Sequence, residues 1–179
     1  MEDRKIAFLS AHDGDYKTAI KYYSKILSTE KSSKIFRERA DCYAALKKID
    51  NAINDYTSAI NIELDNPIYY CERAELYIQK SNYKAALDDC NDALEIDPNC
   101  SIAFLLKGIV LGELGDISSG ISNISSCINI NKWCARAYYH RAVLKEKISK
   151  KDAKLDYWQA AHIGYSDALQ RYRKLENIK

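Results

Sequence analysis

Apolar residues recur along the chain at the three- and four-residue steps of an α-helix, in blocks of about 34 residues. In the clearest block, Tyr70, Ala74 and Tyr77 share one face of a predicted first helix. After a polar break, the same steps resume over residues 83–94 and predict a second helix. Pro98 follows that helix and ends it, because proline cannot continue the backbone hydrogen bonding.

The same block is repeated along the whole chain, as the positions of its smallest residues indicate. One series has spacings of 33 or 34 and consists of Ala7, Ala40, Ala74, Gly108 and Ala142. A second series keeps the same spacings and consists of Ala19, Ala52, Ala86, Gly120 and Ala153. Because both series stay in register through five copies, we expect five repeats of one structural unit.

The small residues have a physical explanation. Only alanine or glycine allows two antiparallel helices to approach at the short end of the usual range, so we expect Ala74 and Ala86 to face each other. One helix pair cannot bury its apolar face alone, and its stability must come from stacking on its neighbours.

Residues 67–100, PIYYCERAELYIQKSNYKAALDDCNDALEIDPNC, closely resemble a tetratricopeptide repeat. Weaker copies of the motif follow the same register, at residues 1–32, 33–66, 101–134 and 135–165. The resemblance implies an all-α fold, a right-handed α-solenoid of about five helix-turn-helix repeats forming a single domain. Residues 166–179 are amphipathic and are predicted to form a C-terminal capping helix.

In this family the first helix of each repeat lines a concave face, which implies a surface for binding a peptide or helical segment of another protein. The positions that fall on this face are Arg4, Phe8, Arg37, Asp41, Cys71, Glu75, Ile78, Ile102, Leu105, Ile109, Gly112, Arg136, Tyr139 and Val143. We call this set the concave stripe. It implies a non-catalytic adaptor or scaffold, either co-chaperone-like or part of a multiprotein complex.

The concave stripe is largely apolar in its fourth and fifth copies, where Leu105, Ile109 and Tyr139 are expected to make the strongest partner contacts. Gly112 would let a ligand backbone come close. Two alternatives stay open at this point. The stripe could be covered by the chain itself, or by a second copy in a homodimer.

The best-known ligands of the family are acidic chaperone tails, which are held by a clamp of basic and asparagine side chains. Arg4 and Arg37 could take part here, but Asp41 and Glu75 would repel a terminal carboxylate. We therefore expect this carboxylate clamp to be absent.

The formal net charge of the chain is only +2, which argues against a protein built to wrap nucleic acid. Residues 135–179 nevertheless carry 11 basic and 5 acidic side chains, so RNA binding by this quarter is the alternative function. The basic residues are scattered over the predicted cap and a turn, which argues against it.

The sequence lacks the motifs of catalysis. No phosphate-binding loop or nucleophile elbow occurs, and the six cysteines form no C-x-x-C pair, so we expect no enzyme activity, cofactor or metal. The pair Asp88-Asp89 is expected to be solvated. The N-terminal residues contain no apolar stretch typical of a signal peptide or membrane span, which predicts a cytoplasmic protein with reduced cysteines.

Overall fold

The computed structural model describes residues 2–176, which form eleven α-helices and no strand. The helices are α1 (Glu2–His12), α2 (Tyr16–Leu27), α3 (Ser33–Ala45), α4 (Ile49–Ile62), α5 (Pro67–Gln79), α6 (Tyr83–Ile96), α7 (Ser101–Glu113), α8 (Ile117–Ile130), α9 (Ala135–Glu146), α10 (Lys150–Ile163) and α11 (Ser166–Glu176). Each predicted repeat contributes two of them, so the expected all-α fold is confirmed. Helix α11 corresponds to the predicted cap, of which residues 177–179 lie outside the described residues.

The chain divides into two compact units, Met1–Asn82 and Tyr83–Lys179. In the first, α1 packs on α2 and α3 on α4. In the second, α7 packs on α8 and α9 on α10, and α11 packs on α10. None of the described helices is long and apolar enough to span a membrane.

Helix ends follow local sequence signals. Pro67 occupies the first turn of α5, where its missing N–H costs nothing, and the Asn66 side chain accepts a hydrogen bond from the Ile68 amide. Asp116 caps α8 by accepting from the Ser119 amide at 3.1 Å. At the far end of α10, Gly164 adopts the left-handed conformation that commonly terminates a helix.

The small residues of the two series are buried, and in the fourth repeat they lie where the two helices approach closely. Ala40 and Ala52 are fully buried in the second repeat. In the fourth repeat both positions are glycine. A Cβ atom added to Gly108 would lie 2.7 Å from the Gly120 carbonyl oxygen and 2.5 Å from Cγ1 of Ile124. The α7 and α8 backbones are therefore too close for even one methyl group at this point.

Gly112 has a different role from the one expected. A Cβ atom there would lie 2.4 Å from Cδ2 of Leu144, so the space that glycine leaves is filled by a side chain of the next repeat. The expectation that Gly112 lies open to a ligand backbone is wrong, because α9 already occupies that side of the helix.

A series of basic residues, which the sequence analysis overlooked, connects successive repeats. Arg141 of α9 donates two hydrogen bonds to Asp156 of α10, at 2.7 and 2.8 Å, and a third to Ser125 of α8 at 3.0 Å. Lys145 adds an ion pair to the same carboxylate at 2.8 Å. The side chains of Arg141 and Asp156 are largely buried, so each compensates the desolvation of the other.

The second repeat contains the same arrangement. Arg39 of α3 donates to both carboxylate oxygens of Asp55 at 2.7 Å and to Ser24 of the preceding repeat at 2.8 Å. Arg39 and Arg141 are three periods of 34 residues apart, with Arg73 and Lys107 at the intermediate positions. A search for charged residues at the repeat period would have found this series.

Asp89 is one period after Asp55 and is only 3% exposed. The expectation that the pair Asp88-Asp89 is solvated is therefore wrong for Asp89, while Asp88 is exposed. The sequence analysis therefore assigned one residue too many, Asp89, to the polar face of α6.

We expect Gly108→Ala to destabilise the protein although alanine favours helices. The gain in helix propensity is about 1 kcal/mol, and the clash with the Gly120 carbonyl should outweigh it, giving a net loss of about 1–2 kcal/mol in unfolding free energy. Gly112→Ala is the matched control, because only the flexible Leu144 side chain has to move. Urea denaturation of both variants distinguishes the two sites. An equal effect would contradict the close backbone contact.

We also expect Asp156→Ala to cost about 3–5 kcal/mol, because it leaves Arg141 and Lys145 without their carboxylate. Asp152→Ala removes an exposed carboxylate from the same helix and should cost at most about 1 kcal/mol. Thermal and urea unfolding measure the loss of stability in both variants. Similar losses in the two variants would show that the buried ion pair contributes nothing specific.

Candidate functional site

The first unit carries an open cleft between its first helices α1 and α3, with Phe8 at its centre. The Phe8 side chain is 58% exposed, although it is a large apolar residue. Two depressions of about 590 and 360 Å³ meet at this ring. The first is lined by Arg4, Lys5, Phe8, Lys34 and Glu38. The second is lined by Phe8, Ala11, His12, Tyr16, Tyr23, Glu38, Asp41, Cys42 and Ala45. We call this surface the Phe8 cleft.

The Phe8 cleft is positively charged at one end. Arg4 forms an exposed ion pair with Glu30 at 3.3 Å. Lys5 and Lys34 are exposed and have no ion pair within residues 2–176. The cleft therefore offers two uncompensated ammonium groups close to an exposed aromatic ring.

The other end of the Phe8 cleft is acidic. Asp41 accepts a hydrogen bond from the Tyr56 hydroxyl, and burial raises the pKa of Tyr56 well above its usual range, with the Asp41 charge adding to the shift. The hydroxyl therefore stays protonated and holds the Asp41 carboxylate in place. Glu38 lies between the two ends and lines both depressions.

Two further members of the concave stripe in this unit are already engaged. Arg37 donates three hydrogen bonds to Glu72, at 2.7–3.0 Å. This pairing neutralises the one arginine that could have joined Arg4 in a carboxylate clamp. Cys71 is 2% exposed, so its assignment to the binding surface is wrong, because α5 turns that side chain into the core. Glu75 and Ile78 are half-buried.

In the second unit, the apolar part of the concave stripe is mostly used in packing. Leu105 is only 3% exposed and belongs to a core cluster with Ile124 and Leu144. The expectation that Leu105 is a free partner contact is therefore wrong. Ile102 is 45% exposed, while Ile109 and Arg136 are half-buried.

The end of the chain covers the fifth copy of the concave stripe. The Tyr139 ring stacks on Tyr165, which links α10 to α11, with 4.6 Å between ring centroids. Tyr139 also meets Tyr157 edge to face at 5.7 Å. Val143 packs against the core cluster that contains Tyr157, as does Tyr172 of the cap. The alternative that the chain itself covers part of the stripe therefore holds at Tyr139 and Val143.

Among the residues lining the Phe8 cleft, the sequence analysis identified Arg4, Phe8 and Asp41 and missed Lys5, Lys34 and Glu38. Lys34 and Glu38 are four residues apart and therefore share one face of α3. That spacing was visible in the sequence. What it did not show is that this face lies beside Phe8.

The alternative function, RNA binding by the basic side chains of residues 135–179, finds little support in the structure. Arg141 and Lys145 are held by Asp156, and Arg171 lies 3.8 Å from Glu146. Part of the basic excess of residues 135–179 is therefore compensated inside the fold. No group of histidine, cysteine or acidic side chains among the described residues could hold a metal ion.

Comparison with known proteins agrees with the geometry. Residues 38–66 and 67–100 match two family models, both described as tetratricopeptide repeat. Serine/threonine-protein phosphatase 5 of Rattus norvegicus is 28% identical over 143 residues, which is 80% of this chain and 26% of that protein. The chain spans between 12% and 26% of the length of the first curated relatives it matches.

Solved structures match over nearly the whole chain. The crystal structure of the MamA protein has a TM-score of 0.77 at 18% identity, covering 93% of this chain and 92% of that one. YrrB, described as a TPR protein with an unusual peptide-binding site, has a TM-score of 0.70 at 18% identity, with 93% and 88% covered. At such identities the likeness shows the fold.

We expect Leu105→Glu to unfold the fourth repeat rather than remove a ligand contact. Losing a buried leucine typically costs about 2–5 kcal/mol, and burying a charge adds to that loss. Ile102→Glu, three residues earlier on an exposed side of the same helix, should leave the melting temperature within a few degrees of the parent. Thermal unfolding followed by circular dichroism checks both. Equal melting temperatures of the two variants would instead indicate that Leu105 is a surface residue.

Proposed function

Because the chain is a tetratricopeptide-repeat protein, we propose that it is a non-catalytic adaptor that binds a peptide or helical segment of another protein in the Phe8 cleft. Folds of this kind serve as interaction modules, and the cleft has the features of a docking site for an apolar side chain. As an adaptor, the chain would act within a multiprotein complex. We also propose the reducing cytoplasm as its location, where its six cysteines would remain thiols.

The exposed Phe8 ring is the observation that carries this proposal. A phenylalanine side chain that is 58% exposed leaves apolar area in water, and a partner side chain placed on it would remove that area. Core packing of α1 does not explain the residue, since the buried side of that helix is Ala7. The depressions on either side of the ring can accept the flanking side chains.

The charges around the cleft define the kind of peptide. Lys5 and Lys34 favour a carboxylate on one side of the docked apolar residue, and Asp41 with Glu38 favours a cation or amide donor on the other. We therefore propose an amphipathic segment with an acidic residue, an apolar anchor and a basic residue in succession. Electrostatic complementarity of this type fixes the orientation of the bound segment.

This charge pattern argues against a multiply acidic chaperone tail. Arg37 is neutralised by Glu72, and Asp41 and Glu38 would face the additional carboxylates. The proposed peptide binding agrees with the description of YrrB, whose fold this chain shares. A second copy of this chain is the alternative partner of the cleft, and the experiment must distinguish it from a peptide.

We predict that Phe8→Glu abolishes the binding of peptides selected from a random display library on the intact protein. Removing one large apolar contact should weaken binding about tenfold to a hundredfold, and the introduced charge adds to the loss. Leu9→Glu is the matched control, because Leu9 is the next residue of the same helix and is also exposed. Affinities for the selected peptides are measured by fluorescence anisotropy or calorimetry.

Both substitutions are on exposed positions, so both variants should keep the helical spectrum and melting temperature of the parent. Selected peptides that bind Phe8→Glu as well as they bind the parent would place the site elsewhere. A parent that is dimeric in light scattering, together with a monomeric Phe8→Glu variant, would identify the cleft as a self-association surface and overturn the peptide proposal.

A further inference from the structure

The outer side of α10 carries large apolar side chains that the fold does not bury. Leu155 is 72% exposed, and Trp158 is also exposed, three residues later on the same side of the helix. The opposite side of α10 supplies the buried side chains of Ala153, Tyr157 and Ala160. Core packing therefore explains one side of this helix and leaves the other unexplained.

This apolar face is particular to the fifth repeat. The residue equivalent to Leu155 is polar in the four preceding repeats, as Lys21, Asn54, Asp88 and Ser122. The residue before it is apolar in those repeats, as Ile20, Ile53, Leu87 and Ile121, whereas the fifth repeat has Lys154 there. The order of the apolar and the polar residue is therefore exchanged, and the exchange turns the leucine outward.

Trp158 departs from the other repeats in the same way. Its equivalents are small and polar, and each accepts a hydrogen bond from a basic residue of the following repeat, at Ser24, Thr57, Asn91 and Ser125. In the fifth repeat the next element is the cap α11. The repeat architecture therefore requires neither Leu155 nor Trp158 at these positions.

Two depressions in the second unit meet at Leu155. The first has a volume of about 520 Å³ and is lined by Ile121, Lys145, Ile148, Lys151, Asp152 and Leu155. The second has a volume of about 450 Å³ and is lined by Lys151, Lys154, Leu155, Trp158 and Tyr172. Because the two share Lys151 and Leu155, they form one continuous groove, which we call the α10 groove.

The α10 groove has an excess of positive charge. Lys151 lines both depressions and forms no ion pair within residues 2–176. Lys154 lies over the Tyr172 ring, with its ammonium nitrogen 5.4 Å from the ring centroid. Lys145 is already held in an ion pair, and Asp152 is the one acidic side chain among the described lining residues. The groove thus combines exposed apolar side chains with ammonium groups.

We propose that the α10 groove is a second docking surface, which binds an acidic amphipathic α-helix of a partner protein. Lys151 and Trp158 are seven residues apart on α10 and therefore span about 10 Å of its length. A helix with apolar side chains at every third or fourth position presents them over the same distance. Such side chains would enter the depressions on either side of Leu155.

Charge complementarity favours an acidic helix. Glutamate or aspartate side chains beside the apolar positions would reach Lys151 and Lys154. Asp152 lines the first depression and favours a basic partner residue at that end, which gives the bound helix one preferred direction. This surface adds a second partner to the proposed adaptor and does not depend on the Phe8 cleft.

Two other classes of ligand fit the α10 groove less well. Nucleic acid would stack its bases on aromatic rings, but the Trp158 ring already stacks on His162, with 5.2 Å between centroids, and Lys154 lies over Tyr172. An anionic membrane would take up apolar side chains that protrude from a basic surface. Here the apolar side chains line depressions, and Asp152 would face the lipid charge.

The test uses three synthetic peptides of about 18 residues, a length at which helices form in water. In the first, leucine occupies every third or fourth position and glutamate flanks it. The second has lysine in place of glutamate, and the third has the composition of the first with its leucines distributed around the helix. The intact protein should bind the glutamate peptide at least about tenfold more tightly than either of the others, as measured by fluorescence anisotropy.

Substitutions locate the binding site. Leu155→Glu should weaken binding of the glutamate peptide about tenfold to a hundredfold, because one large apolar contact is lost. Ile102→Glu is the matched control, since it changes an exposed apolar residue outside the groove and should bind as the parent does. Both positions are exposed, so both variants should keep the melting temperature of the parent. If Leu155→Glu melts lower, Leu155→Ala removes the same contact without adding a charge.

A second pair of variants tests the charge. Lys151→Glu should weaken binding of the glutamate peptide and strengthen binding of the lysine peptide. Lys174→Glu makes the same change in net charge at an exposed position of α11 outside the groove, and it should alter neither affinity at physiological salt. Equal effects of the two variants would show that the peptides respond only to net charge, and would overturn the proposal.

Four further outcomes would overturn it. The first is equal binding of the glutamate and lysine peptides. The second is a loss of the glutamate peptide in Phe8→Glu and not in Leu155→Glu, which would place it in the Phe8 cleft. The third is a dimeric parent with a monomeric Leu155→Glu variant in light scattering, which would identify a second copy as the occupant. The fourth is binding of phosphatidylserine vesicles or oligouridylate that Leu155→Glu abolishes, without binding of the glutamate peptide.

The two docking proposals can fail independently. Peptides selected for the Phe8 cleft should bind Leu155→Glu as well as they bind the parent, and the glutamate peptide should bind Phe8→Glu as well as it binds the parent. Each substitution lies in a different unit of the chain. Loss of one interaction with retention of the other therefore identifies which proposal is wrong.

Discussion

The close approach of the two helices within a repeat is the constraint on which the rest of this structure depends. Alanine or glycine recurs at the two small-residue positions of every copy, and at Gly108 and Gly120 the backbones leave no room for a methyl group. A small residue at this point brings the two helices together, so that larger side chains on either side can interlock with the next repeat. The stacking of helix pairs, and with it the burial of the core, follows from this contact.

The buried ion pairs depend on the same constraint. Arg39 and Arg141 each reach a carboxylate on the partner helix and a hydroxyl on the preceding repeat, and both contacts require a fixed distance between helices. Such pairs contribute little net stability compared with apolar packing, but a misplaced repeat would leave their charges unpaired. They therefore favour one register of stacking among the several that similar helix pairs could adopt.

The surface available for a partner consists of the side chains that packing between helices does not bury. In the fifth repeat, the cap and the α10–α11 link cover Tyr139 and Val143, and in the fourth repeat Leu105 belongs to the core. In the first unit, no described helix covers Phe8, and the charged residues around it lie on both α1 and α3.

Sequence alone determined the repeat period, the helix pairs and their boundaries, because these depend on spacings and end signals within a few residues. Pro67 and Pro98 mark the limits of one repeat in the sequence as they do in the structure. Sequence also placed Phe8 on an open face. It could not distinguish Phe8 from Leu105 or Cys71, because helical periodicity assigns a residue to a side of its helix and carries no information on what packs there. Only the tertiary structure decided that Leu105 and Cys71 are buried, that Leu144 fills the space beside Gly112, and that Lys34 lies beside Phe8, since each of these depends on how different helices pack together.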